Sequence, residues 1–154
     1  MAVYTKLNQN KIEEILSNYD LGKLDAFRGI EEGIENTNYF LLVGEKKYIL
    51  TIYEKRVKEE DLPFFSELIG ALHKLGFKCP VPILNKNKEA ISKFNNKKFM
   101  IVSFIEGKAK DILSPENCKS VGREAAKMHE ITKNFKIKRQ NDLSIISWRK
   151  IFNS

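Results

Sequence analysis

The sequence predicts an α+β fold, in which an antiparallel sheet of about five strands carries one inserted helix and is followed by further helices. Two observations support this prediction. Runs that are rich in apolar, aromatic and β-branched residues, separated by turn-like residues, occur within 24–53 and 89–105, as expected of strands. Apolar residues recur at helical spacing over 61–76 and again over 115–132. The first helical run falls between the third and fourth strands, which makes it the inserted helix.

A short helix and three strands come first in the chain. Apolar residues have helical spacing over 12–19, and Asn10 and Glu13 stand at the spacing of a capping box. The strand pattern then predicts three consecutive antiparallel strands at 24–30, 37–43 and 47–53. The last two are separated by a short Gly-containing connection that is typical of a hairpin. The loop at 31–38 is polar and contains one glycine and two asparagines, which indicates a tight turn between strands.

The clearest helix prediction is the stretch DLPFFSELIGALHKLG at 61–76. It has a proline near its start and a glycine at its end. Its apolar face is predicted to contain Phe65, Leu68, Ile69, Leu72 and Leu75. The following CPVPIL must be extended because each proline fixes its own backbone and restricts the residue before it. Two further strands are predicted at 89–94 and 97–105, joined by a turn.

Two helices are predicted in the last third of the chain. Ser114 and Pro115 mark the start of the first, which extends to about Thr132. Its apolar stripe is predicted to contain Cys118, Val121, Ala125 and Met128. The last segment, LSIISWRKIFNS, again has apolar residues at helical spacing, and a helix this apolar needs a body to pack on. We expect the chain to end inside a larger fold, with docking on the preceding helix as the alternative.

The composition indicates a globular chain. Of 154 residues, 42% are hydrophobic and 31% are charged, so burial of apolar surface can offset chain entropy. A chain of this length suits about one domain. No apolar run approaches the roughly 18 residues that span a bilayer, and the first residues lack the apolar core of a secretory signal. We therefore expect a cytoplasmic protein with no membrane partner.

The net charge of +7 belongs to the second half of the chain. Residues 1–77 carry 10 Lys and Arg against 13 Asp and Glu, whereas residues 78–154 carry 17 against 7. Such a surface suits a nucleic acid or an acidic partner. However, 22 of the 27 basic residues are lysine, whereas arginine leads in phosphate and base recognition. We expect no nucleic-acid partner, and a noncatalytic basic module is kept as an alternative.

Cysteines and histidines give no sign of a metal site or a nucleophile. Cys79 and Cys118 form no CxxC pair, and neither has a histidine nearby in the sequence. Both are more typical of small buried hydrophobic residues. His73 and His129 have no acidic or cysteine partner at metal-ligand spacing.

Longer strings of sequence carry a family resemblance. GIEEGIENTNYFLLVGEKKYILTIYEKR, DLPFF, CPVP, FMIVSFIEGK and GREAAKMHE follow one another in this order. Together they resemble the homoserine kinases, which are related to aminoglycoside phosphotransferases and choline kinases. The resemblance covers essentially all 154 residues. It implies a protein-kinase-like amino-terminal lobe with its leading helix at 1–105, followed at 106–154 by the hinge and an incomplete, helical carboxy-terminal lobe.

The resemblance also implies a nucleotide site for ATP. A flexible loop would cover the phosphates, since small residues let backbone N–H groups approach the oxygens. That loop would consist of Gly33, Ile34, Glu35, Asn36, Thr37 and Asn38. The connector after the last strand would meet the adenine edge through its backbone, and it would consist of Ser103, Phe104, Ile105 and Glu106. Phe104 and Ile105 would line the adenine pocket.

One position departs from the kinase pattern. The third strand of a kinase carries a lysine that pairs with the inner phosphates and with a glutamate on the following helix. Here the expected position is Thr51, whose neutral hydroxyl cannot balance phosphate charge. Lys55 would share a face with Thr51 if the strand continued that far, so it is the predicted substitute. The glutamate partner is predicted to be Glu67, with Glu60 as the alternative.

The catalytic groups of the family are not matched in this chain. Family members take the base and the Mg²⁺ ligands from a His-Gly-Asp…Asn loop and a later Asp motif, and residues 130–154 match neither. Catalytic residues are therefore expected downstream of Ser154, and the chain alone is expected to be inactive. The implied reaction is transfer of phosphate from ATP to the hydroxyl of homoserine, giving O-phosphohomoserine for threonine synthesis. A kinase for choline or an aminoglycoside is the alternative within the same fold.

Overall fold

A computed structural model describes residues 3–54, 57–141 and 144–152. The chain has four α-helices and five strands in these ranges, together with one turn of 3₁₀ helix at Glu59–Asp61. The helices are α1 (Gln9–Leu16), α2 (Leu62–Lys74), α3 (Pro115–Thr132) and α4 (Ile145–Phe152). The strands are β1 (Leu24–Ile30), β2 (Thr37–Val43), β3 (Lys46–Ile52), β4 (Ile91–Phe94) and β5 (Lys97–Ser103).

The five strands form one sheet in the order β1-β2-β3-β5-β4, and every neighbouring pair is antiparallel. Strand β5 therefore lies between β3 and β4, and helix α2 belongs to the connection between β3 and β4. This arrangement confirms the predicted sheet with one inserted helix. The segment after α2 adds a single bridge from Pro82 to Val102, as expected of the extended CPVP stretch.

The core lies between one face of the sheet and helix α1. Alternate residues of β2 are buried because successive side chains point to opposite faces of a strand. The core contains Leu7, Ile12, Ile15, Leu16, Tyr19, Leu24, Tyr39, Leu41, Val43, Tyr48, Leu50, Ile52, Phe99 and Ile101. The rings of Tyr19 and Phe99 lie 6.4 Å apart, and they join the segment after α1 to β5.

The helices correct several details of the prediction. Asn8, not Asn10, caps α1, and its side chain accepts a hydrogen bond from the Lys11 N–H. Leu75 lies beyond the last turn of α2 and is 61% exposed, so it was wrongly placed on the buried face. The capping box of α3 is formed by Ser114 and Asn117.

The predicted apolar stripe of α3 is not buried. Val121 is 67% exposed, and none of the residues of this helix is fully buried. Cys118 is also exposed, which contradicts its expected burial, while Cys79 is half-buried. The helical spacing correctly predicted helix α3. Spacing alone does not show whether another part of the chain packs against the apolar stripe. No helix in the described part of the chain is both long and apolar enough to cross a membrane.

Candidate functional site

The side of the sheet that faces away from α1 is half-buried and carries several of the predicted site residues. In β2 and β3, Asn38 pairs with Thr51 and Phe40 pairs with Ile49. All four side chains are half-buried, whereas their neighbours in each strand belong to the core. Strand alternation therefore places all four on one surface, which we call the second face.

The second face changes from polar to apolar along its length. At the end near the β1–β2 loop, the Thr51 hydroxyl donates to Asn38 Oδ1 over 2.8 Å. Phe40 and Ile49 follow one step further along, because residues on the same face of a strand repeat about every 7 Å. At the far end the Phe104 ring meets Phe40 edge-on, with 5.5 Å between ring centroids. The hydrogen-bonding groups thus lie near the loop and the aromatic groups lie near the connector.

The β1–β2 loop consists of residues 31–36, since Ile30 pairs with Asn38 where the two strands meet. Gly33 has φ +106°, a conformation that L side chains rarely adopt, and a Cβ added there would meet no atom within 4 Å. Ile34 and Glu35 are exposed beside it. Asn36 is half-buried, and its Oδ1 accepts a hydrogen bond from the Glu54 N–H over 3.4 Å.

Thr37 and Asn38 belong to β2 rather than to the loop, and their side chains lie on opposite faces of the strand. Asn38 lies on the second face, as described above. Thr37 is fully buried on the other side, where its hydroxyl accepts from the N–H groups of Tyr4 and Thr5, each over 3.0 Å. The six residues predicted as one phosphate loop are therefore distributed over an exposed turn, the second face and the core side.

The connector is anchored by its first two residues, of which Ser103 is the last residue of β5 and Phe104 is the first residue after it. The Ser103 N–H donates to the Val81 carbonyl, and the Ser103 hydroxyl accepts from the Val81 N–H, each over 2.9 Å. The Phe104 N–H donates to the Lys47 carbonyl over 3.1 Å. Because these N–H groups are used, an approaching ligand edge would meet the backbone of the next residues, Ile105 and Glu106.

Lys47 closes the connector end of the second face. Its ammonium pairs with the Glu106 carboxylate and lies 5.9 Å from the centre of the Phe104 ring. Glu106 is exposed, whereas Phe104 and Ile105 are half-buried. The connector thus presents an aromatic and an aliphatic side chain beside open backbone, the mixture that suits a flat heteroaromatic ring.

Two predicted residues do not join this site. Glu67 is exposed on α2, and Glu60 is exposed in the 3₁₀ turn before it. Neither side chain has an ion pair with β3 among the described residues. Lys55 lies outside the described residues, and β3 ends at Ile52, so the condition for placing Lys55 beside Thr51 is not met.

Glu54 is a polar residue of this region that sequence reasoning missed. It follows β3 and is bonded to three separate segments of the chain. Its carboxylate accepts from the Thr5 hydroxyl over 2.6 Å and the Thr37 hydroxyl over 2.7 Å, and it pairs with Lys97. Burial raises the pKa of this carboxyl, but hydrogen bonds from Lys97, Thr5 and Thr37 outweigh burial and hold the pKa below its ordinary value. The only sequence signal was a carboxylate directly after a buried strand.

A cluster of metal-binding side chains is absent from the described residues. Within 3–54, 57–141 and 144–152, no three His, Cys, Asp or Glu side chains are grouped so that they could hold a metal ion. Mg²⁺ prefers carboxylate oxygens and phosphate oxygens. The described part of the chain therefore does not fit a protein-bound Mg²⁺ site.

Sequence comparison assigns the family. Residues 26–144 match the model of the phosphotransferase enzyme family, and this range contains the connector and all of the sheet except the first two residues of β1. The chain belongs to the phosphotransferase enzyme family. Phosphotransferases of known sequence include the homoserine kinase of Methylobacterium radiotolerans, which is 42% identical over 152 residues. The homoserine kinase of Beijerinckia indica subsp. indica is 38% identical over 154 residues.

The alignments with these two homoserine kinases cover this chain almost completely but cover only part of each relative. The alignments include 99% and 100% of this chain, but only 47% and 48% of the two homoserine kinases. The chain thus spans about half the length of the curated relatives it matches.

Solved phosphotransferase structures confirm the kinase-like fold. An amicoumacin kinase in complex with AMP-PNP and Ca²⁺ has a TM-score of 0.70 at 15% identity, covering 87% of this chain and 42% of that one. A microcompartment-associated aminopropanol kinase has a TM-score of 0.70 at 15% identity, with coverage of 92% and 48%. A spectinomycin phosphotransferase in complex with ADP and spectinomycin has a TM-score of 0.67 at 17% identity, with coverage of 97% and 46%.

Proposed function

We propose that the second face and the connector form the nucleotide-binding half of an ATP-dependent kinase that phosphorylates the hydroxyl of homoserine. The observation that carries this proposal is the order of groups along the second face. The loop around Gly33 and the Asn38–Thr51 pair occupy one end, and Phe104 occupies the other. A nucleoside triphosphate has the same order of polarity, with phosphates at one end and an apolar base at the other.

In this proposal the connector binds the base. Adenine would lie against Phe104 and Ile105, and its hydrogen-bonding edge would meet the backbone at Ile105 and Glu106. Ser103 would hold the connector in place through Val81 rather than touch the nucleotide, because its N–H and hydroxyl are already bonded there. Phe40 would support the base from the side, since its ring contacts Phe104.

The loop would bind the phosphates through its backbone. Gly33, Ile34, Glu35 and Asn36 would present N–H groups to oxygens, as glycine-containing loops do in phosphate sites. Glu31, Glu32 and Glu35 are exposed in the same loop, and carboxylates repel bare phosphates. The nucleotide is therefore expected to bind as its Mg²⁺ complex, which carries less negative charge.

The residue that replaces the strand lysine stays a prediction. Thr51 lies on the second face, where its hydroxyl is bonded to Asn38 and supplies no positive charge. Lys55 is the proposed cation at this end, and Glu67 is its proposed partner on α2.

The acceptor is proposed to be homoserine because the relatives at about 40% identity are homoserine kinases. Residues 1–105 are proposed to be the amino-terminal lobe and residues 106–154 the hinge and the first part of the carboxy-terminal lobe. The acceptor-binding and metal-binding groups are then supplied by residues other than those described here. We expect the 154-residue chain alone to bind ATP without transferring its phosphate.

The nucleotide site is tested by calorimetry with ATP and Mg²⁺. Ile105→Asp should abolish measurable binding, because it places a carboxylate in the base pocket. Ile112→Asp is the matched control, since Ile112 is 90% exposed outside the site, and it should bind as the unaltered chain does. Loss of binding in both variants, or in neither, would contradict the proposed pocket.

The loop is tested with a pair of glycine variants. Gly33→Val should weaken ATP binding, whereas Gly44→Val in the β2–β3 turn should not, although both glycines have positive φ and open space around them. Backbone strain is thus introduced in both variants, and only one lies in the proposed phosphate loop. Equal ATP affinities for the two variants would exclude a specific role of Gly33.

The acceptor is tested on the protein as its own gene encodes it. Phosphate transfer from ATP is measured with homoserine, choline and an aminoglycoside. Faster transfer to homoserine than to the other two supports the proposal, and a preference for either of them assigns the same fold to another small-molecule kinase. Salt-sensitive binding of a polyanion, together with no binding of ATP, would instead favour the basic binding module.

A further inference from the structure

Four distant parts of the chain meet behind the β1–β2 loop. Thr5 comes from the segment before α1, Thr37 begins β2, Glu54 follows β3, and Lys97 begins β5. We call these four residues the Glu54 cluster. The Glu54 side chain is only 10% exposed, so its charge is held largely by the other three residues rather than by water.

In the Glu54 cluster, each threonine hydroxyl donates its single proton to one acceptor. The Thr37 hydroxyl donates its proton to Glu54 Oε1 over 2.7 Å and accepts the N–H groups of Tyr4 and Thr5. The Thr5 hydroxyl donates to the same carboxylate oxygen over 2.6 Å and accepts from Lys97 Nζ over 2.7 Å. Lys97 Nζ also pairs with Glu54 Oε2. A carboxylate without a proton is required at Glu54, because Oε1 accepts from both hydroxyls and Oε2 faces the Lys97 ammonium.

The Glu54 cluster is connected directly to the loop. The Glu54 N–H donates to Asn36 Oδ1, and the Tyr4 hydroxyl donates to the Ile34 carbonyl over 3.0 Å. The segment that carries Tyr4 and Thr5 is fixed in turn by Tyr39, whose hydroxyl accepts from the Leu7 N–H over 2.8 Å and donates to the Thr5 carbonyl over 3.0 Å.

These contacts restrain the loop without occupying the second face. Thr37 and Tyr39 point to the core side of β2, whereas Asn38 and Phe40 point to the second face. The loop is therefore held from behind while its other side stays open. A loop that is already ordered loses less conformational entropy when a ligand binds.

We propose that Glu54 is a positioning residue, which presets the backbone of the β1–β2 loop for the phosphate groups of the nucleotide. This inference rests on the proposed function, and it adds a role for residues that would touch neither the nucleotide nor the acceptor. Its distinctive consequence is that disturbing the Glu54 cluster should weaken the binding of the phosphates and leave the binding of the base unchanged. The base would lie at the connector end of the second face, away from the cluster.

The test compares the affinities for ATP with Mg²⁺ and for adenosine, which has no phosphates. Glu54→Gln should weaken ATP binding about 3- to 10-fold, the effect of one or two lost hydrogen bonds, and leave adenosine binding unchanged. Amide hydrogen exchange without nucleotide should become faster in 33–38 and stay the same in α3, which contains no residue of the Glu54 cluster. Glu59→Gln is the matched control, since Glu59 is an exposed glutamate 3.9 Å from Lys98 and lies close by in the sequence.

A second pair of variants keeps the test valid if Glu54→Gln does not fold. Thr37→Val removes the hydroxyl that bonds Glu54 and the segment at Tyr4 and Thr5, at nearly constant volume, and it should reproduce the loss of ATP affinity. Thr37→Ser keeps the hydroxyl and should keep the ATP affinity of the unaltered chain. A role limited to general stability would weaken ATP and adenosine binding equally, and it would not be rescued in this selective way.

The outcomes separate the two proposals. Selective loss of ATP affinity with faster exchange in 33–38 supports the positioning role. Unchanged exchange, or equal loss for ATP and adenosine, overturns the positioning role and leaves the proposed nucleotide site in place. No ATP binding by the unaltered chain overturns the proposed function and the positioning role together.

Discussion

At the scale of single residues, Glu54 should make folding sensitive to acid. Its pKa is held below the ordinary glutamate value of about 4.3, because hydrogen bonds from Lys97, Thr5 and Thr37 outweigh the effect of burial. A carboxylate with a lowered pKa in the folded state stabilises the fold above the unfolded-state pKa, and this contribution is lost as the pH falls through the folded-state pKa. The free energy of unfolding should therefore decrease below about pH 4.3.

The measurement is urea unfolding at a series of pH values. Glu54→Gln should be less stable than the unaltered chain at pH 7 and should show a smaller decrease toward low pH. Glu59→Gln should keep the pH dependence of the unaltered chain, since Glu59 is exposed and lies 3.9 Å from its partner Lys98. Identical pH profiles for Glu54→Gln and the unaltered chain would contradict the assignment of Glu54 as the acid-sensitive group.

The same residues show where sequence reasoning about the site succeeds and where it ends. Thr37 and Asn38 are neighbours in sequence, yet one is in the core and the other on the second face. The predicted strand already contained this alternation, so their separation could have been found from the sequence. The Glu54 cluster could not, because Thr5, Thr37, Glu54 and Lys97 are joined only by tertiary pairing of β2, β3 and β5.

At the scale of elements, the strands were predicted better than the helix surfaces. The bounds of β1 and β2 agree with the predicted strands 24–30 and 37–43, and β2 also shows the alternating burial of a strand with one face in the core. Helix α3 has the predicted start at Ser114, because a capping box is a local interaction. The burial of its stripe depends instead on which surface lies opposite, and this is not a local property of the sequence.

The difference between sheet and helix predicts a difference in mutational cost. Ile101 in β5 is fully buried between β3 and β4, whereas Val121 in α3 is 67% exposed. Ile101→Ala should lower the free energy of unfolding by about 2 to 5 kcal/mol, since it leaves a cavity in the core. Val121→Ala should change it by about 0.5 kcal/mol or less. Both values come from urea unfolding followed by circular dichroism, and equal losses would show that α3 is covered in solution.

At the scale of the whole molecule, the chain combines a sheet with a buried core and a helical part that contacts the rest of the chain at α2. Phe64 of α2 contacts Phe135 with 5.9 Å between ring centroids. Arg139 Nε pairs with Asp61 over 2.8 Å, and Lys127 Nζ donates to the Gly76 carbonyl over 3.2 Å. These contacts attach the region after the connector to the two ends of α2. Much of the apolar surface of α3 and α4 is left exposed.

This exposed apolar surface predicts self-association. Ile145 is 84% exposed and Phe152 is 92% exposed, while Val121 adds a third apolar side chain from α3. Burying such side chains against another copy removes apolar area from water at about 25 cal/mol per Å². We expect the weight-average mass in sedimentation equilibrium to rise with protein concentration.

Ile145→Asp combined with Phe152→Asp should keep the chain monomeric over the same range, because two carboxylates would replace the apolar contacts. Gln9→Asp combined with Asn10→Asp makes the same change of charge at two exposed residues of α1 and should leave the association as it was. If both double variants associate equally, the helical surface is not responsible.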